Sequence, residues 1–240
     1  MKPGKLIEII SYIFPLQLEA TSSQYNSFLE VLLSKGKHVM NSENANYSFG
    51  SLYNIFEHTF RDIKLNTLNV SNCLVLGLGG GSVIQLLKEK YTLNIPITAV
   101  EIDPIVIQLG YKYFNLAGYT DLTIVNEDAF SFVRKNVLEY DLIIIDLYIN
   151  DEVPSEFHSK EFVFSLYNIS HNNTVVLFNK MLGSKTKEKE YNNLVYEMSQ
   201  AFGTLSFLSY AEHGVENKII CVNAGRDTRQ KTIKGNETAA

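Results

Sequence analysis

Four features of this chain are spaced as a nucleoside site would need. The first is a glycine cluster, Gly77, Gly79, Gly80 and Gly81, directly after the apolar run Leu74–Leu76. Glycine lets backbone approach a ligand that any side chain would push away. Helical apolar spacing follows, so the loop leads into a helix N-terminus with free N–H groups and a positive dipole end. The second is Glu101, 24 residues after Gly77, at the end of the apolar run Ile97–Val100. A carboxylate at that spacing is placed to accept ribose hydroxyls, and Ile102 beside it to pack on an adenine face. The third is Asp128 in IVNEDAFSF, with Ala129 next to it. Asp128 suits a helix N-cap, and its carboxylate could also accept the adenine amino group, with Glu127 as the alternative acid. The fourth is Asp146, which ends IIID. A carboxylate after a continuous apolar strand is costly unless it works at the strand tip or is well paired. Asp146 is therefore expected to meet the reactive end of the ligand, or its acceptor. Together these residues imply an adenosine-bearing ligand.

The elements that must position them alternate in βα fashion from residue 71 onward. Strands are expected at Leu74–Leu78, Ile97–Ile102, Leu122–Val125, Leu142–Ile145 and Thr174–Phe178. The intervening helices are Ser82–Tyr91, Pro104–Phe114 with Asp103 as N-cap, Asp128–Val137 and Ser159–Ile169, with a long helix Lys185–Phe202. Two last strands, Ser206–Tyr210 and Lys218–Val222, are joined by seven residues. So short a link forces them antiparallel, because a parallel crossover needs a dozen or more. The fold class is thus α/β: a doubly wound, mostly parallel Rossmann-like sheet ending in an antiparallel hairpin. Residues 1–70 read as an N-terminal helix and a small β-hairpin module, 71–224 as the nucleotide-binding domain, and 225–240 as a disordered tail. The segment Leu147–His158, with Asp151, Glu152, Glu156 and His158, has the length of a gate over the pocket.

Composition narrows the partners. Net charge is −5 with no basic stripe, which argues against nucleic acid. Cys73 and Cys221 sit in apolar runs as buried thiols, and the five histidines show no ligand spacing, so no metal is expected. The N-terminal Leu6–Phe14 stretch is interrupted by Glu8 and ended by Pro15. It reads as a short amphipathic helix docking on the body or on a second copy, so a homodimer is a possible assembly. No apolar run is long enough to span a membrane, and the compartment is cytoplasmic by default.

At the level of motifs the chain resembles the spermidine synthase family and its methyltransferase-like relatives. The resemblance runs over roughly Ser23–Gly225. It rests on the SxYN segment (Ser23, Tyr25, Asn26), GLGGGS at Gly77–Ser82, VEIDP at Val100–Pro104, NEDAFSFV at Asn126–Val133, YDLIIID at Tyr140–Asp146 and VPSEFHSKEF at Val153–Phe162. It implies the fold of class I S-adenosylmethionine-dependent enzymes, with S-adenosylmethionine or its decarboxylated form as donor. It also brings Tyr25 and Tyr47 forward as wall residues for a small-molecule acceptor. Spermidine synthases carry GGGDGG in the first loop, and the aspartate position is Gly80 here. They carry a further aspartate three residues after the strand-four acid, which deprotonates the attacking amine, and that position is Ile149. Their N-terminal module supplies a glutamine and acids for the diamine, whereas residues 45–52 read ANYSFGSL. A diamine is a dication, and a charge pair at roughly 4 Å is worth about 4 kcal/mol at an effective dielectric of 20. Losing several carboxylates should abolish polyamine binding.

The sequence therefore predicts an S-adenosylmethionine-dependent transferase, methyl transfer being favoured, with Asp146 and Asp151 as catalytic acids. The alternatives are a polyamine aminopropyltransferase, in which Asp151 replaces one lost acid by a loop shift, and a catalytically silent nucleoside-binding subunit. An NAD enzyme competes as a ligand reading, but Ser82 stands where its third glycine would be.

Overall fold

The structure, a computed structural model, describes residues 5–43, 46–48, 51–149, 152–212 and 215–223. The expectations for Asp151 and for the 225–240 tail lie outside the described residues, and so does the side chain of Tyr47.

A seven-stranded sheet runs through the chain from Cys73. Its strands are β5 (Cys73–Leu76), β6 (Ile97–Glu101), β7 (Leu122–Asn126), β8 (Tyr140–Ile145), β9 (Ser170–Met181), β10 (Leu205–Glu212) and β11 (Val215–Val222), in the order β10-β11-β9-β8-β5-β6-β7. The pairs from β9 to β7 are parallel, and β11 pairs antiparallel with both β9 and β10. The doubly wound sheet and its closing hairpin are those expected from the sequence. After β5 the chain winds one way to β6 and β7, and later returns on the other side with β8 and β9. The crevice at the carboxyl ends of β5 and β8 is therefore the topological switch point, where open α/β sheets bind ligands.

Both faces of the sheet are covered, so its inner strands read as unbroken apolar runs rather than alternating ones. One face packs Val75, Leu142, Ile144 and Leu177 against Ile55, Phe56 and Phe60 of helix α2 (Ser51–Asp62). Phe56 and Phe60 are fully buried, each worth about 1.5–3 kcal/mol of apolar transfer. The other face packs Leu74, Ile143, Val176 and Phe178 against α5 (Ala129–Lys135), α6 (Lys160–Asn168) and α7 (Lys185–Phe202). The helix after the glycines differs from expectation: α3 is the single turn Ser82–Gln85, continued by a π-helical turn at Leu86–Lys90.

The N-terminal module is larger than a hairpin. Strands β1 (Leu16–Thr21), β2 (Leu29–Ser34), β3 (Lys37–Ser42) and β4 (Asn46–Ser48) form an antiparallel meander. Leu29, Val31 and Met40 bury themselves against Val106 and Leu109 of α4 (Pro104–Tyr113), the helix that follows β6. Helix α1 (Lys5–Ile10) buries no residue, and Leu6 and Ile9 are 71% and 63% exposed. Its docking against the body is not seen. The chain is instead fastened at Ser11, whose carbonyl accepts the Lys35 amide and whose hydroxyl accepts the Gly36 amide.

Candidate functional site

Parallel register sets the strand tips level. Leu76 pairs with Val100 and with Ile145, Glu101 with Asn126, and Ile145 with Phe178. The next residues, Gly77, Ile102, Glu127, Asp146 and Asn179, thus line one end of the sheet. The structure places the glycine loop, Glu101, Asp128 and Asp146 at the same end of the sheet.

The reason for Gly77 is internal to the protein. It sits at φ +91°, and a Cβ there would lie 2.1 Å from the Asp146 carbonyl oxygen. The turn leaving β5 passes against the backbone leaving β8, and a side chain would force the two strand tips apart. The loop's amides are also more engaged than the sequence implied. Those of Leu78 and Gly79 donate to Glu101 Oε2 at 3.2 and 3.3 Å, and the Gly81 amide donates to the Leu78 carbonyl at 2.9 Å.

Glu101 is buried, and Oε1 also accepts the Asp103 amide at 3.0 Å. Burial pushes its carboxyl above the ordinary glutamate value, and the three amides pull against that shift. Asp103 caps α4 by accepting the Ile105 amide at 2.9 Å. Its other oxygen accepts from the Ser23 hydroxyl and from Asn26 Nδ2, the latter at 2.9 Å. The SxYN segment is thereby tied to the residue two positions after Glu101, and Tyr25 within it is half-buried. Asn126 Nδ2 bridges the carbonyls of Glu101 and Ile102 at 2.8 and 2.9 Å, holding half-buried Ile102 at the β6 tip.

Asp128 is the N-cap of α5, accepting the Ser131 amide at 2.8 Å, and Ala129 behind it is buried. Glu127 pairs with Lys135 at 2.6 Å. Asp146 is half-buried and accepts from Asn179 Nδ2 at 2.9 Å. Burial raises its carboxyl to about 6, against the lowering effect of that hydrogen bond. Asn179 is itself buried, and its Oδ1 has no hydrogen-bond partner among the described residues. A buried acceptor left unpaired costs free energy, so this end of the crevice suits a ligand that brings an N–H donor.

Asn179 and Tyr148 are site neighbours that sequence reasoning missed. The signal was present in the polar pair Asn179–Lys180 directly after the apolar run Thr174–Phe178, the same pattern that marks Asp146. The expected gate is also better fastened than its composition suggested. Val153, Phe157 and His158 are buried, and Ile149 and Glu152 exchange backbone hydrogen bonds. No group of His, Cys, Asp and Glu among the described residues could hold a metal ion, and no described helix is long and apolar enough to cross a membrane.

Comparisons with known proteins agree with this architecture. The spermine/spermidine synthase domain model matches residues 57–211. The polyamine aminopropyltransferase of Vibrio vulnificus is 29% identical over 120 residues, 49% of this chain and 40% of that protein. The N-terminal histidine N-methyltransferase of Emericella nidulans is 32% identical over 114 residues, 45% of this chain and 20% of that protein. The matched segments thus span less than half the length of these relatives. Among solved structures, the spermidine synthase of Thermotoga maritima superposes with a TM-score of 0.67 at 17% identity, covering 87% of this chain and 73% of that one. Human methyltransferase-like protein 13, solved in complex with SAH, gives 0.59 at 19% identity, covering 73% and 85%. At these identities the structural likeness speaks for the fold.

Proposed function

The chain belongs to the spermine/spermidine synthase domain family, and from that premise we propose that it is a transferase using an S-adenosyl donor, with methyl transfer to a small acceptor as its reaction. The observation that carries this reading is the level row of acceptors at the strand tips, Glu101, Asp128 and Asp146, around a glycine turn at the switch point. In this reading the backbone of Gly77–Gly81 lies against the donor, Glu101 takes the ribose hydroxyls and Asp128 the adenine amino group. Ile102 and Ala129 flank the base. Asp146 and Asn179 face the amino-acid end or the acceptor. The donor's sulfonium supplies a carbon already activated for attack. The protein's part is to align nucleophile, carbon and sulfur and to keep water out. Asp146, with its proton affinity raised to about 6, is suited to hold or release a proton near neutral pH.

Methyl transfer is favoured by what stands at two positions. Gly80 and Ile149 carry no carboxylate where the resemblance implies one, and Ile149 sits in a backbone bridge with Glu152. The second reading, aminopropyl transfer, draws on the names of several sequence relatives, including the polyamine aminopropyltransferases of Vibrio vulnificus and Clostridium botulinum.

Two measurements test the proposal. S-adenosylhomocysteine should raise the melting temperature, since ligand at 100 times its dissociation constant stabilises by about 2.7 kcal/mol. No shift with any adenosyl compound would defeat the donor assignment, and an equal shift with NAD would favour a dehydrogenase. Incubation with putrescine and decarboxylated S-adenosylmethionine should yield no spermidine. Turnover on the order of 1–10³ s⁻¹ would overturn the methyl assignment.

A further inference from the structure

Lys180 is a buried cation on the strand that carries Asn179. It is 1% exposed, and its Nζ donates to Glu190 Oε2 on α7 at 2.7 Å and lies 3.1 Å from His158 Nε2. Taking an ammonium out of water costs several kcal/mol, and a well-packed apolar side chain would do as well or better for stability alone. His158 is buried too, and its backbone carbonyl accepts from Asn193 Nδ2 at 3.2 Å. Burial, with the Lys180 charge beside it, lowers the imidazole to about 4. It is thus neutral near pH 7, with Nε2 free to accept from the ammonium.

Strand alternation separates the two faces of β9. Val175 and Leu177 belong to the same core face as Ile144, while Val176 and Phe178 belong to the face covered by α6 and α7. Asn179 continues the first series and Lys180 the second. On the first face, Asn179 Nδ2 holds Asp146 Oδ1 at 2.9 Å. Tyr148 packs with the second face, and its hydroxyl donates to the Asn179 carbonyl at 3.3 Å and accepts the Met181 amide at 2.7 Å. On the second face, Lys180 is held by His158 and Glu190. Asp146, Tyr148 and His158, from both ends of the connection between β8 and α6, converge on the three consecutive residues Asn179–Met181.

We propose that Lys180 is a positioning residue for the Asp146–Asn179 pair: it pins the end of β9 from behind, so that those two side chains present a fixed pair of acceptors to the amino-acid end of an adenosyl donor. This rests on the donor reading above. Without the pin, the end of β9 keeps its ladder to β11 and its Tyr148 bonds but loses its side-chain tie to α7, and His158 loses its hydrogen-bond donor. The part of the ligand that feels this is the part near Asp146. The nucleoside, held at the β6 and β7 tips, does not.

The test compares two ligands on the full chain by titration calorimetry. S-adenosylhomocysteine carries the amino-acid end, and 5′-methylthioadenosine is the same nucleoside thioether without it. Lys180→Met should weaken S-adenosylhomocysteine about tenfold, equivalent to about 1.4 kcal/mol, and leave 5′-methylthioadenosine unchanged. Glu190→Gln removes the counter-charge and keeps the shape, and it carries the same comparison if Lys180→Met does not fold. Equal weakening of both ligands, or no change in either, overturns the proposal. If the unmutated protein binds neither compound, the donor reading fails separately. The pin is then read by amide exchange without ligand: Lys180→Met must accelerate Ile149 and Met181 while Cys73–Leu76 stays protected. Uniform acceleration overturns it.

Discussion

Glu101 and Asp146 flank the β5 glycine turn, one at the tip of β6 and the other just beyond β8, and they are held in opposite ways. Glu101 accepts three backbone amides, two from the glycine loop and one from Asp103. Asp146 has one side-chain donor among the described residues, Asn179. Both lose water, and in both the carboxyl's proton affinity rises. The difference is in what offsets that loss. Glu101 is built into the backbone of the turn, so it organises the loop whether or not a ligand is present. Asp146 depends on a single side chain that is itself left with a buried unpaired oxygen. A carboxylate of the first kind fixes geometry, and one of the second kind is available for chemistry.

The sharpest way to break this contrast is to remove Glu101. Glu101→Ala leaves three amides without their acceptor, and an unsatisfied buried donor costs about 1–3 kcal/mol. Unfolding free energy from urea titration should fall by about 3 kcal/mol or more. A fall below about 1 kcal/mol would mean that water replaces the carboxylate and that Glu101 is no keystone.

Asp146 should behave differently, through pH. Its folded-state proton affinity, raised to about 6, exceeds the unfolded value of about 3.9. Protonation therefore favours the folded state. That contribution is present in full below about pH 4, is lost as pH rises through about 6, and stays lost above. Asp146→Asn should remove this dependence and be relatively more stable above pH 6. The gain should be on the order of 1–2 kcal/mol, discounted for the carboxylate's partial exposure. A stability difference that is flat between pH 4 and 7 would show that folding costs the Asp146 carboxylate nothing and would remove the contrast with Glu101.

Asp103 supplies the third and smallest test. It has three donors, the Ser23 hydroxyl, Asn26 Nδ2 and the Ile105 amide. Ser23→Ala should cost about 1 kcal/mol by denaturant titration, because Asp103 keeps two donors and water can replace the Ser23 hydroxyl at the part-buried Tyr25 and Asn26 amides. A loss as large as that of Glu101→Ala would show that the tie between the N-terminal module and the β6 tip matters as much as the glycine loop itself.

Much of the site was legible because it is written in local pattern. Apolar runs ending in Glu101 and Asp146 mark strands that stop at polar tips, and Asp103-Pro104 marks a helix start that the structure reproduces as an N-cap with proline in the first turn. Less was legible where the partner is remote. The alternation in LQLEAT was too short to announce β1 by itself, and it pairs with β2 across a register shift between Gln17 and Glu19. Helix α1 carries an apolar pattern but buries no residue against the body, and that pattern by itself did not choose between the body and a second copy. The segment after Asp146 looked weakly held because its anchors, Val153, Phe157 and His158, are scattered in sequence and find their places in a core that includes α6, α7 and β9.

From residue 71 onward the sequence by itself determined the order and kind of the elements, the antiparallel closing hairpin and the placing of acids at strand ends, because those follow from periodicity, turn chemistry and the length of a link. Tertiary structure decided which tips are neighbours. Only the β8-β5-β6 order puts Glu101 and Asp146 on either side of Gly77 and makes that glycine obligatory against the Asp146 carbonyl. It also joined Asp146 to Asn179 across 33 positions and Ser23 to Asp103 across 80. Side chains that far apart along the chain meet through strand pairing and packing, and no local period encodes that meeting.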